Sequence, residues 1–253
     1  MSAFGWGLLA SSSLLLGGVL ALTLPITKRA LGLIMAFGAG VLISAVAYDL
    51  VQEAQSKAAG SGRVAYGLFA GAITFFLGDA YVDRAGGGDR KRSHGTGGGN
   101  SGGSGGGGGG NFALPVVLGI VLDGIPESIV IGLSLLGGEG VGVAVLAAVF
   151  LSNLPEAMAA TTGLRVDGWA PARILGLWGL VAVVCGLAAL VGYQVFDTAG
   201  PEAVGFVEAF AGGAILTMLA DTMMPEAFEH GGKAVGLLTT LGFGLAFLLS
   251  SLA

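Results

Sequence analysis

The sequence is poor in charge, histidine and cysteine. Charged residues fill only 11% of its 253 positions, against about 25% in a soluble domain. One cysteine, Cys185, allows neither an internal disulfide nor a zinc cluster built on cysteines. The two histidines, His94 and His230, both lie outside the apolar segments and cannot form the His-Glu-x-x-His of an intramembrane metalloprotease. No Gly-x-x-x-x-Gly-Lys-Ser/Thr loop for ATP is present. An enzyme is therefore not expected, nor a catalytic cofactor, nor a nucleic-acid partner. The first apolar segment lacks a basic leader and a small-residue cleavage site, so it is expected to stay as a helix.

Apolar residues are abundant instead, at 54%, with a mean hydropathy of +0.85. That composition belongs to an integral membrane protein in contact with the lipid bilayer. A membrane helix needs roughly 20 mostly apolar residues. Eight stretches qualify: Phe4–Leu24, Ala30–Val51, Val64–Tyr81, Phe112–Leu136, Val141–Leu164, Ile174–Phe196, Val204–Met224 and Ala234–Leu252. Pro25, Pro171 and Pro201 stand at boundaries, where proline ends or starts helices. Many of the 49 glycines crowd into a low-complexity loop at 84–111, which reads as a flexible coil between helices three and four. The expected fold is all-α, a single transmembrane domain over 1–253.

Loop charges orient the chain. Lys28, Arg29, Arg84, Arg90, Lys91, Arg92, Arg165, Arg173 and Lys233 fall in odd-numbered loops, and only Lys57 and Arg63 in even-numbered ones. The positive-inside rule then puts the odd loops in the cytosol and both termini outside. "AFGAGVLISAVAYDLVQEA" (Ala36–Ala54) aligns without gaps with "AFAGGAILTMLADTMMPEA" (Ala209–Ala227). The two helices run in opposite directions in this topology, the mark of an inverted repeat and common in transporters. The expected arrangement is 3+2+3, with helices 1–3 repeated in helices 6–8.

Polar residues within the apolar stretches are the candidates for function, because a charge at mid-bilayer costs about 3 kcal/mol. "LDGIPESIVIGL" places Asp123 and Glu127 at i and i+4, on one helical face. "SNLPEA" gives Ser152 and Glu156 the same spacing, with Asn153 beside them. Pro126 and Pro155 free the carbonyls of Leu122 and Leu151 and are expected to bend both helices at the polar cluster. Side by side, the two helices would present three carboxylates, an amide and a hydroxyl around one cavity, a donor set suited to a divalent cation. Asp49 and Glu53 are expected to close helix two on the outer side. Asp221, Glu226, Glu229 and His230 are expected at or just past the cytosolic end of helix seven, with Asp79 ending helix three there. Asp49, Glu53, Asp221, Glu226 and His230 would mark a path.

"DGIPES" and "SNLPEA" resemble the fourth- and fifth-helix motifs of the ZIP (Zrt/Irt-like) metal transporters, a pattern close to His-(Ser/Asn)-x-Pro-Glu-Gly. "AFGAGVLISAV" and "AFAGGAILTMLAD…PEA" resemble that family's second and seventh helices. The resemblance covers nearly the whole chain apart from the Gly-rich loop. It implies that Asp123 stands where the family has a histidine ligand, that Glu127 and Glu156 are the motif glutamates, and that Ser152 and Asn153 are polar ligand positions. Two departures matter: Gly124 stands where a second polar ligand often sits, and Ile174–Phe196 has no carboxylate, which binuclear members supply from helix six. One metal site is therefore expected. The resemblance further implies inward transport at the plasma membrane and a homodimer.

The leading expectation is a carrier of a divalent transition metal into the cytosol by alternating access. Asp123 in place of imidazole hardens the site toward Mn²⁺ or Fe²⁺, while the general affinity order favours Zn²⁺, so all three remain candidates. A proton- or monovalent-cation-coupled carrier, whose carboxylates titrate without binding metal, is the alternative. The topology is directly testable. A protease or thiol label placed in Gly86–Asn111 should be reached only from the cytosolic side, and labelling from outside intact cells would overturn the orientation. Deleting most of that loop should leave folding and transport nearly intact, because a Gly-rich coil makes few contacts.

Overall fold

The computed structural model describes residues 1–58, 62–82, 84, 113–136 and 141–252. The Gly-rich loop, apart from Arg84, lies outside the described residues. Among these, the chain is all-helical. The helices are α1 (Ala3–Thr23), α2 (Lys28–Lys57), α3 (Arg63–Val82), α4 (Ala113–Ser134), α5 (Val143–Val166), α6 (Pro171–Phe196), α7 (Pro201–Gly231) and α8 (Ala234–Leu252). Seven of them are long and apolar enough to cross a membrane. The remaining one, α4, has 22 residues and carries Asp123 and Glu127.

Local chemistry sets the ends. The Ala30 N–H donates to Thr27 Oγ1 at 3.2 Å and starts α2. α6 and α7 open on Pro171 and Pro201, at the position where a missing N–H costs nothing. Gly232, with φ of +62°, ends α7 in a conformation that a side chain would disfavour. Two helices outrun the apolar stretches that announced them. α2 continues six residues past Val51, through Gln52–Lys57, and α7 runs past Met224 through Met224–Gly231. Polar residues end an apolar run without ending a helix. Asp49, Glu53, Asp221 and Glu226 therefore sit within helices, and Glu229 and His230 in the last turn of α7.

Burial is inverted relative to a soluble protein. Tyr66, Phe69, Ile73, Phe76, Leu77 and Tyr81 form an exposed stripe along α3, and Leu237, Leu241, Leu245 and Leu248 do the same on α8. The interior is rich in small residues, with Ala10, Ala36, Ala39, Ala209, Ala211 and Ala214 all buried. Hydrocarbon accepts large apolar side chains on the outside, so helices gain more by bringing backbones close. α2 and α7 are the central helices; α8 packs on α2, α3 on α7, and α1 on α5 and α6.

The closest approaches form a matched set. A Cβ at Gly40 of α2 would strike the Thr239 carbonyl of α8, and one at Gly242 of α8 would strike the Phe37 carbonyl of α2. On the other side, a Cβ at Gly213 of α7 would strike the Leu68 carbonyl of α3, and one at Gly71 would strike the Phe210 carbonyl. Phe37 and Gly40 align with Phe210 and Gly213 in the paired segments read from the sequence. The same segments share a second feature. α2 is π-helical over Ala45–Val51 and α7 over Leu219–Met223. Pro225 follows the second of these, where its missing N–H falls next to an already altered hydrogen-bond ladder.

Two glycines on α8 separate these effects. Gly242→Ala drives a methyl into a carbonyl and should lower thermal stability in detergent by about 1–3 kcal/mol. Gly244, two residues on, has open space around its Cβ position, so Gly244→Ala should be neutral or stabilising by up to about 1 kcal/mol. Equal melting temperatures for the two variants would show that the close contact does not hold α2 to α8.

Candidate functional site

α4 and α5 run unbroken through Pro126 and Pro155. The carbonyl of Leu151, whose helical partner is lost to Pro155, faces α2 at Gly38, where a Cβ would lie 3.0 Å from it. The absent side chain lets α2 cover the freed carbonyl, leaving it to weak C–H contacts rather than lipid.

Polar residues flanking the prolines meet across the two helices. Glu127 is 1% exposed. Its Oε1 accepts from the Ser152 hydroxyl at 3.1 Å, and its Oε2 from the Asn153 amide at 3.3 Å. Ser152 and Asn153 are themselves buried. Asp123 is buried one turn earlier on α4, near enough for its charge to act on Glu127. Glu156 is half-buried, one turn beyond Ser152 on α5. The structure thus joins Glu127, Ser152 and Asn153 directly, with Asp123 and Glu156 flanking them.

The arrangement is tighter than the sequence suggested. Among the described residues, no three of His, Cys, Asp and Glu converge closely enough to hold a metal ion. The void beside Glu127 is about 10 Å³, at or below the size needed for one water. Its walls are apolar, including Leu42, Val46 and Leu50 of α2, Val149 of α5 and Ile215 of α7. Carboxylates repel at close range, and the neutral donors that Glu127 takes from α5 offset that repulsion. Where the spacing suggested an open cavity, the structure has a closed cluster of carboxylate, hydroxyl and amide, with Asp123 and Glu156 beside it.

The path residues are dispersed. Asp49 and Asp221 lie in the two π-helical stretches. Asp49 Oδ1 accepts from Ser250 of α8 at 2.9 Å. Glu53 and Asp221 are exposed, while Glu226 and His230 are half-buried on one face of α7, with His230 Nδ1 2.9 Å from the Glu226 carbonyl.

Two residues escaped the sequence reading. Cys185 is buried on α6, where it meets α4. A Cβ at Gly124 would lie 3.0 Å from its sulfur, so the side-chain space absent at Gly124 is taken by Cys185. Nothing in the local sequence signals that meeting of α4 and α6. Glu208 of α7 is 2% exposed and pairs with Lys57 at 2.5 Å. Here a signal existed: Glu208 is the one charged residue between Glu202 and Asp221.

No family model matches the chain, and a search of curated proteins found no match.

Proposed function

We propose that the protein carries a divalent transition-metal cation of the Zn²⁺, Fe²⁺ or Mn²⁺ class into the cytosol, through a site on α4 and α5. The observation that carries this reading is Glu127, a buried carboxylate whose two oxygens are held by Ser152 and Asn153 of the next helix. Positioned oxygen donors deep in an apolar helical protein are costly unless they serve a cargo. In the metal-bound state Asp123, Glu127 and Glu156 would supply the charge, and Ser152 or Asn153 would complete the shell.

The tight packing bears on mechanism. Leu42, Val46, Leu50 and Ile215 wall off Glu127 from the α2 and α7 side, so an ion gains access only when those helices move against α4 and α5. That is alternating access. The reciprocal glycine contacts and the π-helical stretches at matched places in α2 and α7 support an inverted repeat of helices 1–3 in helices 6–8. The π turns put a departure from regular helix in each moving element. With this reading go the plasma membrane, both termini outside and a homodimer.

The second reading, a proton- or monovalent-cation-coupled carrier, is favoured by one feature: both oxygens of Glu127 are already satisfied by neutral donors. Thermal stability of the purified protein with added Zn²⁺ or Mn²⁺ separates the two. The metal reading expects stabilisation that Glu127→Gln removes, whereas indifference of the wild-type protein to both ions would support the alternative.

Uptake assays test the residues. Glu127→Gln and Glu156→Gln keep size but lose charge, and each should abolish or severely reduce metal uptake while the protein still inserts. Ser152→Ala and Asn153→Ala should weaken metal affinity about 10–100-fold, the usual cost of losing a partner that orients a ligand. Asp123→His should retain uptake and shift preference toward Zn²⁺, whereas Asp123→Asn should impair it. Asp49→Asn should slow uptake without removing the bound ion. Uptake should fall in acid, since protons compete with metal for carboxylates. Normal transport by both glutamine variants would remove α4 and α5 as the metal site.

A further inference from the structure

A second arrangement of charge lies where the end of α2 meets the start of α7, away from Glu127. Lys57 Nζ is 2.5 Å from Glu208 Oε1 and 2.7 Å from Glu53 Oε1. Its neighbour in sequence among the cations, Arg63, is engaged by Glu202. One ammonium therefore serves two carboxylates. Asp49, one turn before Glu53 on α2, is engaged by Ser250 of α8 instead.

The carboxylates are not saturated by the lysine. Glu208 is 2% exposed, and its Oε2 is buried with no hydrogen-bond partner. Asp49 Oδ2 is likewise buried without one. A buried carboxylate oxygen left bare is expensive, and Lys57 contacts only the other oxygen of Glu208. Access is available from outside the helices. A cleft of about 970 Å³, lined by Lys57, Arg63, Tyr66, Glu202 and Phe206, opens beside the pair.

We propose that the two carboxylates Glu53 and Glu208 form a second cation site, in which the Lys57 ammonium is a tethered occupant that a hard divalent cation displaces. The donors are all carboxylate oxygens, which suit Ca²⁺ or Mn²⁺ rather than a soft ion. The ammonium's two contacts fall close to the 2.3–2.6 Å that Ca²⁺ takes from oxygen, about the reach of a cation of that size. A doubly charged ion matches the surplus of acid better than the lysine does, and it leaves coordination positions for the bare Glu208 oxygen and for water. The lysine side chain, 24% exposed, has a route out into the cleft. The alternative for the same geometry is a fixed clamp between α2 and α7.

The full-length protein distinguishes a site from a clamp. Purified wild-type protein is treated with an amine-reactive label, with and without Mn²⁺, and modification of Lys57 is read by peptide mass spectrometry. Displacement predicts several-fold faster labelling of Lys57 with Mn²⁺, and a clamp predicts no change. The same measurement on Glu127→Gln isolates this site from α4 and α5: the acceleration should persist, and its loss would overturn the proposal by showing that Lys57 only reports events elsewhere. Lys57→Gln empties the seat, so it should bind an additional Mn²⁺ per chain more tightly than the wild type by equilibrium dialysis. Lys57→Gln combined with Glu208→Gln should lose that ion. Unchanged Lys57 labelling in the wild type overturns the proposal whether or not the variants fold. None of these readouts requires metal uptake, so the proposal can fail while the transport reading stands, and the reverse.

Discussion

Close contact between backbones is the constraint from which the rest of the structure follows. Where side chains are as apolar outside as inside, burial alone gives helices little reason to associate. Contact must come from backbones brought near enough for dispersion and weak C–H contacts, and only glycine permits that at Gly40, Gly71, Gly213 and Gly242. Those contacts seat α8 on α2 and α3 on α7, leaving α2 and α7 as the central pair. The walls around Glu127 are then the inner faces of these two helices together with α4 and α5.

Within that frame the protein stabilises two buried carboxylates in different ways. Glu127 is met by a hydroxyl and an amide, neutral donors that satisfy both oxygens without a counter-charge. Glu208 is met on one oxygen by the Lys57 ammonium, while the other is left bare. The first arrangement leaves the carboxylate without a counter-charge. The second already holds a cation, tethered to the chain. Both lie at contacts between helices distant in sequence, and both are bordered by α2 or α7, the elements whose movement the transport reading requires.

The π-helical stretches belong to the same design. Ala45–Val51 and Leu219–Met223 carry Asp49 and Asp221, and the first ends six residues before Lys57. A π turn widens the helix and alters which carbonyls are free. In α2 it separates the segment that packs against α8 at Gly40 from the segment that pairs with Glu208. The helix can therefore join one contact to α8 and another to α7 without being a uniform rod.

Much of this was legible in the residues. Apolar runs of membrane length, proline at the starts of α6 and α7 and the gapless match of Ala36–Ala54 with Ala209–Ala227 are local or periodic signals, and local steric rules suffice to read them. The i, i+4 spacing of Asp123 with Glu127, and of Ser152 with Glu156, likewise fixes which side chains share a helical face. Other features were decided only by tertiary structure. The extension of α2 to Lys57 and of α7 to Gly231 depends on contacts that keep polar turns helical after hydropathy has fallen. The closure around Glu127 depends on how near α2 and α7 approach, which spacing within α4 and α5 cannot set. Lys57 finds Glu208, and Cys185 fills the space beside Gly124, across separations of many residues. Helical periodicity dictates the face a residue occupies, but which helix packs against that face depends on the whole set of backbone contacts.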